Sequence, residues 1–133
     1  MRWVLAILIL LPFASAAFAQ RLCDQARNST AVGTINLVER VPAVAGQRVY
    51  LCGYMLARTG AGTDLEFELV SGTGLNCSQN AVTILGPMTL PANTVVVNRI
   101  PYAAGEKTEI GHALCLRTFG TGQLTSVFYW AQF

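Results

Sequence analysis

The sequence predicts an all-β protein, an antiparallel two-sheet sandwich of seven or eight strands that is jelly-roll-like and carries two disulfides. No segment after residue 19 shows sustained helical periodicity. Short apolar runs are instead separated by glycine, proline, asparagine and threonine, as in sandwiches and barrels. Four cysteines are spread through the same region, and an even number in a small exported chain indicates a disulfide framework.

The first 20 residues, MRWVLAILILLPFASAAFAQ, have the layout of a secretory signal peptide. Arg2 supplies a positive start, residues 3–11 are apolar, and Ala17 and Ala19 form an A-x-A cleavage pattern. The alternatives are a membrane anchor or a buried helix, but the apolar run is shorter than the about 20 residues that span a bilayer. We therefore expect residues 1–19 to be removed. Residues 20–133 are predicted to form one β-sandwich domain that has no membrane span and is secreted, as an extracellular, periplasmic or virion-associated protein.

The strands are predicted from β-branched content, two-residue alternation and turn residues. Alternation is clearest in 64–70, where one apolar and one acidic set take turns: Leu65, Phe67 and Leu69 with Asp64, Glu66 and Glu68. Gly86-Pro87 separates two short strands, and Pro101 ends another or places it on a sheet edge. In chain order the predicted strands are 31–38, 48–57, 64–70, 82–85, 88–90, 94–100, 110–119 and 124–133.

The four cysteines are Cys23, Cys52, Cys77 and Cys115. A zinc site is the alternative to two disulfides, but no C-x-x-C pair occurs and the intervals are all long. Four cysteines allow three pairings, and the sequence does not choose among them. We favour Cys52–Cys115 with Cys23–Cys77, because neighbouring antiparallel strands would bring the first pair's Cβ atoms to about 4.5–5.5 Å.

Several stretches resemble a group of uncharacterised small exported four-cysteine proteins of bacterial and bacteriophage genomes. These stretches are YLCGYML, GTGLNC, GHALCL and the closing YWAQF. The strand rhythm and the aromatic last strand also resemble the jelly roll of the tumour-necrosis-factor and C1q class. That resemblance implies a fold that often trimerises and binds other molecules, and neither resemblance supplies catalytic residues.

Charge and the single histidine argue against several functions. The net charge is +2 and no Lys/Arg cluster occurs, so no nucleic-acid partner is expected. His112 is the only histidine and no G-x-S-x-G motif accompanies it, so we interpret it as structural. We expect no catalytic, cofactor or metal site.

If the chain does have a catalytic or metal site, the acidic set Asp64, Glu66 and Glu68 is the best candidate for it. Strand residues two apart lie about 6.5–7 Å from each other, which suits an inverting glycosidase pair. Carboxylates also bind Ca²⁺. A solvated strand face shows the same alternation, and we favour that interpretation.

The last strand is apolar on both faces, with Phe128 and Trp130 on one and Val127 and Tyr129 on the other. One core does not need both faces, so the strand predicts a second buried surface. The aromatic residues as a group are also a candidate sugar- or protein-binding surface: Tyr50, Tyr54, Tyr102, Tyr129 and Trp130.

We therefore predict a non-catalytic secreted structural or binding module. It would act through self-assembly, as a homotrimer by resemblance, or through contact with a surface glycan or protein. The alternative is a small secreted carbohydrate-active or lectin-like protein that uses the acidic strand and the aromatic surface.

Overall fold

A computed structural model describes residue 23 and residues 25–32, 36–60, 64–100 and 105–133 of the chain. The predicted signal peptide, residues 1–19, lies outside these ranges. The strands are β1 (Gln25–Val32), β2 (Asn36–Val41), β3 (Val49–Thr59), β4 (Leu65–Thr73), β5 (Gln79–Leu90), β6 (Val95–Arg99), β7 (Ala113–Phe119) and β8 (Gln123–Gln132). A one-turn 3-10 helix, Leu75–Cys77, follows β4. Within the described ranges no helix is long and apolar enough to cross a membrane.

The eight strands form two four-stranded antiparallel sheets. Sheet A has the order β1-β8-β3-β6, and sheet B has the order β2-β7-β4-β5. In each sheet one strand from the end of the chain lies between two of the first four strands: β8 between β1 and β3, and β7 between β2 and β4. This is the strand order of an eight-stranded jelly roll. The predicted fold class is confirmed.

Two-residue alternation places the core between the sheets. In β4, Leu65, Phe67 and Leu69 are buried as predicted, because side chains of a strand point alternately to its two faces. The Tyr54 ring of β3 crosses to sheet B and meets the Phe67 ring edge-on, with 6.1 Å between centroids. It also lies 6.4 Å from the Phe128 ring of β8. The core is therefore one apolar layer to which both sheets contribute.

Two predicted strand boundaries were wrong. The run 31–38 covers the end of β1 and the start of β2, which lie in different sheets. Most of β1 was missed because its residues are polar, whereas its place in the sheet comes from unbroken pairing with β8. The runs 82–85 and 88–90 belong to one strand, β5, which continues through a cis Gly86-Pro87 bond. Proline is tolerated there because β5 is an edge strand.

The favoured disulfide pairing was also wrong. The structure joins Cys23 to Cys52, with Cα atoms 5.8 Å apart, and Cys77 to Cys115, with Cα atoms 6.3 Å apart. The prediction assumed that the two strands are neighbours in one sheet, whereas β3 lies in sheet A and β7 in sheet B.

A bulge in β3 changes which residues share the face of Cys52. The pairing of β3 with β8 shifts between Leu51 and Gly53. Inward positions therefore change from odd to even numbers along the strand, and Leu51 and Tyr54 both lie in the core. Unbroken alternation along 48–57 would place Cys52 on one face with both Tyr50 and Tyr54, and the bulge prevents this.

The second disulfide lies in a small cluster outside the main core. Cys77 and Cys115 are fully buried together with Val70 and Ala113, and Leu37 packs against them. Gly72 lies beneath the 3-10 helix, where a Cβ atom would be 2.7 Å from the Cβ of Cys77. The absence of a side chain at Gly72 therefore lets this helix approach sheet B closely enough for the disulfide to form.

Candidate interaction face

The last strand presents two different faces, as its sequence predicts. Phe128 is fully buried, and Trp130 is partly buried and packs against the same core. Tyr129 is 41% exposed and Val127 is half-buried on the opposite side of the strand. The structure therefore identifies Phe128 and Trp130 as the core pair, and Val127 and Tyr129 as the outward pair.

Neighbouring strands extend the outward pair into an apolar area. Met55 of β3 lies opposite Val127 of β8 on one side and opposite Val97 of β6 on the other. In the adjacent row, Ala57 lies opposite Val95. Val95 and Val97 are 61% and 63% exposed. We call this area the outer face of sheet A, and it consists of Met55, Val95, Val97, Val127 and Tyr129.

Only part of this face was visible in the sequence. The last strand drew attention because it is apolar on both sides. Met55 and the two valines were missed as site residues because their contribution depends on β3 lying between β6 and β8. The β-branched composition of 94–100 and its expected edge position were the available signals.

The acidic set does not form a solvated row. Asp64 precedes β4 and is exposed, and Glu66 is exposed, but Glu68 is only 7% exposed. Glu68 Oε1 accepts a hydrogen bond from Arg117 Nη1 at 2.7 Å, and Oε2 accepts one from Thr83 Oγ1 at 2.8 Å. The expectation that all three acids face water was therefore wrong for Glu68.

The surroundings of Glu68 explain its burial. The β5 backbone crosses it so closely that a side chain at Gly86 would lie 2.9 Å from the Glu68 Cβ. Arg117 supplies the compensating charge that a buried carboxylate needs. In the ranges covered by the structure, no three side chains of metal-ligating type come together. The arrangement links β4, β5 and β7, and both carboxylate oxygens of Glu68 accept hydrogen bonds within it.

The single histidine forms a hydrogen bond with a serine. Ser71 Oγ lies 3.2 Å from His112 Nδ1 and accepts a hydrogen bond from the Glu109 backbone N–H at 3.1 Å. Ser71 is fully buried, so its hydroxyl cannot reach a substrate. The pair ties the turn before β7 to β4, in agreement with a structural role for His112.

Two arginines join the two sheets at the edge of the sandwich formed by β1 and β2. Arg27 of β1 donates a hydrogen bond from Nη1 to the Arg40 carbonyl oxygen of β2 at 3.0 Å. Burial and, to a smaller extent, the charge of Arg27 lower the pKa of Arg40 to about 10. A pKa of about 10 leaves Arg40 cationic at neutral pH, and the hydrogen bond closes the β1–β2 edge of the sandwich.

The predicted aromatic surface is divided between several places. Tyr54 belongs to the core, Trp130 packs against it, and Tyr102 lies outside the described residues. Tyr50 stacks on Phe133 with 4.5 Å between ring centroids and 7° between ring planes. Tyr129 remains on the outer face of sheet A.

An open depression lies near the Tyr50–Phe133 stack. It has a volume of about 490 Å³, and its walls come from Arg48 and from residues 107–110. The stack and the depression share backbone contacts, because Arg48 exchanges hydrogen bonds with Phe133 and Tyr50 pairs with Lys107. Cationic, anionic and aromatic groups therefore lie close together at this end of β3.

No protein-family model matches the chain, and no curated protein matches it. Among solved structures, a chain of the T13 IBDV viral particle matches with a TM-score of 0.38 and 10% identity. A chain of infectious bursal disease virus strain Gx matches with a TM-score of 0.37 and 13% identity. Each match covers 83% of this chain, which spans only 31% and 33% of the two viral chains. Both TM-scores are below 0.5, which is too low to assign either viral protein's role to this chain.

Proposed function

We propose that the protein is a non-catalytic structural or binding module that acts by self-assembly through the outer face of sheet A. The observation that supports the proposal is this face itself. It places exposed valines, Met55 and Tyr129 side by side on three hydrogen-bonded strands. Contiguous apolar surface of this kind on a soluble domain is typical of a contact site. A rigid sheet presents it with little loss of conformational entropy on binding.

We further propose that the module works outside the cytoplasm, as a secreted or virion-associated protein. All four cysteines are paired, and disulfides persist in oxidising compartments. The signal-peptide pattern of residues 1–19 agrees with export. A mass measurement gives the number of copies and distinguishes the trimer implied by the resemblance to the tumour-necrosis-factor and C1q class from an even number.

Tyr129→Ser tests the contact, and Trp130→Ser on the same strand is its matched control. Tyr129 exposes less than half of its area, so burying the remainder at about 25 cal/mol per Å² contributes about 2 kcal/mol per copy. We expect Tyr129→Ser to give a folded protein of lower mass by light scattering, with an unchanged circular dichroism spectrum. Trp130→Ser should instead lower the melting temperature.

The opposite pattern would contradict this use of the face. If Tyr129→Ser kept the mass of the wild-type assembly, the contact would lie elsewhere on the molecule. If Tyr129→Ser unfolded the chain at the same temperature as Trp130→Ser, the two faces of β8 would not have separate roles.

A second candidate function is glycan binding, and the Tyr50–Phe133 stack beside the charged depression favours it. Sugars present apolar C–H faces that pack on aromatic rings, and their hydroxyl groups bond to charged side chains such as Arg48 and Glu109. A glycan array on the wild type and on Phe133→Ala tests it. Binding that Phe133→Ala abolishes would support the candidate, and an array without binding would reject it. Hydrolysis by the acidic strand is not expected, because Glu68 is held by Arg117 and Thr83.

A further inference from the structure

We infer that two copies of the chain join through their β6 strands, in antiparallel pairing, to make one continuous eight-stranded sheet from two copies of sheet A. This inference rests on the proposed self-assembly and adds a second contact to it, because pairing at β6 leaves Tyr129 on β8 exposed and joins two outer faces into one surface. The partner is a second copy of this chain, and the contact is the outer edge of β6 together with the adjoining valines of the outer face.

The four edge strands of the sandwich differ in how well they are protected against pairing. Edges are β1 and β6 in sheet A, and β2 and β5 in sheet B. The pairing of β5 with β4 shifts register three times, and β5 contains Pro87. Strand β2 contains a register shift, and β1 carries Arg27 among polar residues. Bulges, prolines and charges are devices that keep an edge from recruiting another strand.

Strand β6 lacks these devices over most of its length. Its sequence is VVVNR, and it pairs with β3 without a register shift from Gly53↔Arg99 to Ala57↔Val95. Its only charged residue is the last one, Arg99. The prolines nearest to it in the sequence, at positions 91 and 101, lie outside the strand. A regular, β-branched, nearly uncharged edge is a template for another strand.

The backbone of β6 shows which groups are available. Arg58 N–H donates to Thr94 O, and Ile100 N–H donates to Cys52 O, both at 2.9 Å. Even-numbered positions therefore direct their backbone groups toward β3. Because these directions alternate along a strand, Val95 and Val97 direct their N–H and C=O groups to the other side. No strand in the described part of the chain pairs with that side.

When Val96 of one copy lies opposite Val96 of the other, the outward N–H and C=O groups of Val95 and Val97 all find hydrogen-bond partners. Val95 of one copy then pairs with Val97 of the second copy, and the reverse pair forms by symmetry. Each pair exchanges two backbone hydrogen bonds, which gives four across the contact. Valine meets valine on the outer face, where cross-strand β-branched pairs are favourable, and Arg99 stays outside the central pairs. The apolar outer faces of the two copies become continuous.

The chemistry of β6 favours a second copy over an unrelated peptide. The first three residues of β6 are all valine, so antiparallel self-pairing centred on Val96 matches like with like. The resulting contact is isologous and closes on itself around a two-fold axis. An assembly built on it contains an even number of copies, in contrast to a trimer.

Val97→Pro and Val97→Thr form the matched pair of variants that tests this geometry. Both remove the outward valine, but only Val97→Pro removes the N–H that points away from β3. Proline is tolerated on an edge strand when its missing N–H would face away from the sheet. We expect Val97→Pro to remain folded and to lose pairing at concentrations at which Val97→Thr still pairs, as measured by sedimentation equilibrium.

Hydrogen exchange on the wild-type protein gives a readout that does not depend on any variant. In the paired state the amides of Val95 and Val97 should exchange at least tenfold more slowly than in dilute protein. Contact through the outer face alone would bury Tyr129 without protecting these amides. If Val97→Pro does not fold, this measurement decides the question.

The outcomes separate this inference from the proposed function. An assembly that dissociates on Tyr129→Ser but persists in Val97→Pro, without protection of the two amides, would overturn β6 pairing and leave self-assembly standing. A trimer would do the same. A wild-type protein that stays monomeric at every concentration would overturn both.

Discussion

Replacing Cys77 and Cys115 together by alanine is expected to lower the free energy of unfolding by about 4 kcal/mol or more. The two residues are 38 apart in the chain, and closing a loop of that length is worth about 4 kcal/mol in the chain-entropy model. Both sulfurs are fully buried against Val70 and Ala113, so their removal also leaves a cavity. Urea unfolding followed by circular dichroism measures the loss.

The matched control is the double replacement of Cys23 and Cys52 by alanine. This disulfide closes a 29-residue interval, so chain entropy predicts a similar but slightly smaller contribution. Cys23 is only half-buried, and less packing is lost with it. If the second double variant were the less stable of the two, the cluster around Cys77 would not support the fold as described.

Phe128→Ala is expected to destabilise the domain by about 3–5 kcal/mol. The ring is fully buried and lies opposite Tyr54 of the neighbouring strand β3, with 6.4 Å between the two ring centroids. Domains of this size have about 5–15 kcal/mol of total stability, so the variant should be close to unfolding at 37 °C. A thermal melt in dilute solution measures this effect.

Tyr129→Ala is the control for this prediction, since it removes a ring of similar size from the adjacent position of the same strand. Measured on the monomer, its cost should be under about 1 kcal/mol, as for most surface substitutions. Equal losses for the two variants would mean that β8 does not separate a core face from an outward face.

Local alternation indicates the faces of β4, β7 and β8 correctly, because it depends only on the geometry of a single strand. Leu65, Phe67 and Leu69 are in the core, and Leu114 and Leu116 point away from Cys115, as their positions indicate. The same reasoning failed at Cys52, where one extra residue in β3 reverses the alternation. A bulge of this kind leaves no mark in hydrophobic periodicity.

Features that depend on the order of the strands were not predictable. The favoured Cys52–Cys115 pairing failed because β3 and β7 lie in different sheets. The burial of Glu68 follows from Arg117 on the neighbouring strand β7 and from the course of β5 across it. In both cases the deciding contact joins residues that lie far apart in the sequence. The pattern of residues within one segment does not reveal such contacts.

The outer face of sheet A was only partly predictable from the sequence. Val127 and Tyr129 stood out because one strand carried apolar residues on both sides. Val95 and Val97 complete the face because β3 brings β6 and β8 to its two sides. The sequence therefore indicated that a second buried surface exists, and the sheet order shows how far it extends.

The mass of the wild-type domain in solution tests the central claim most directly. Sedimentation equilibrium on residues 20–133, with both disulfides formed, should be run from low to high micromolar concentration. Self-assembly through sheet A predicts a mass that rises with concentration to a whole multiple of the monomer, and an even multiple if β6 strands pair. A constant monomer mass up to high micromolar concentration would contradict the account.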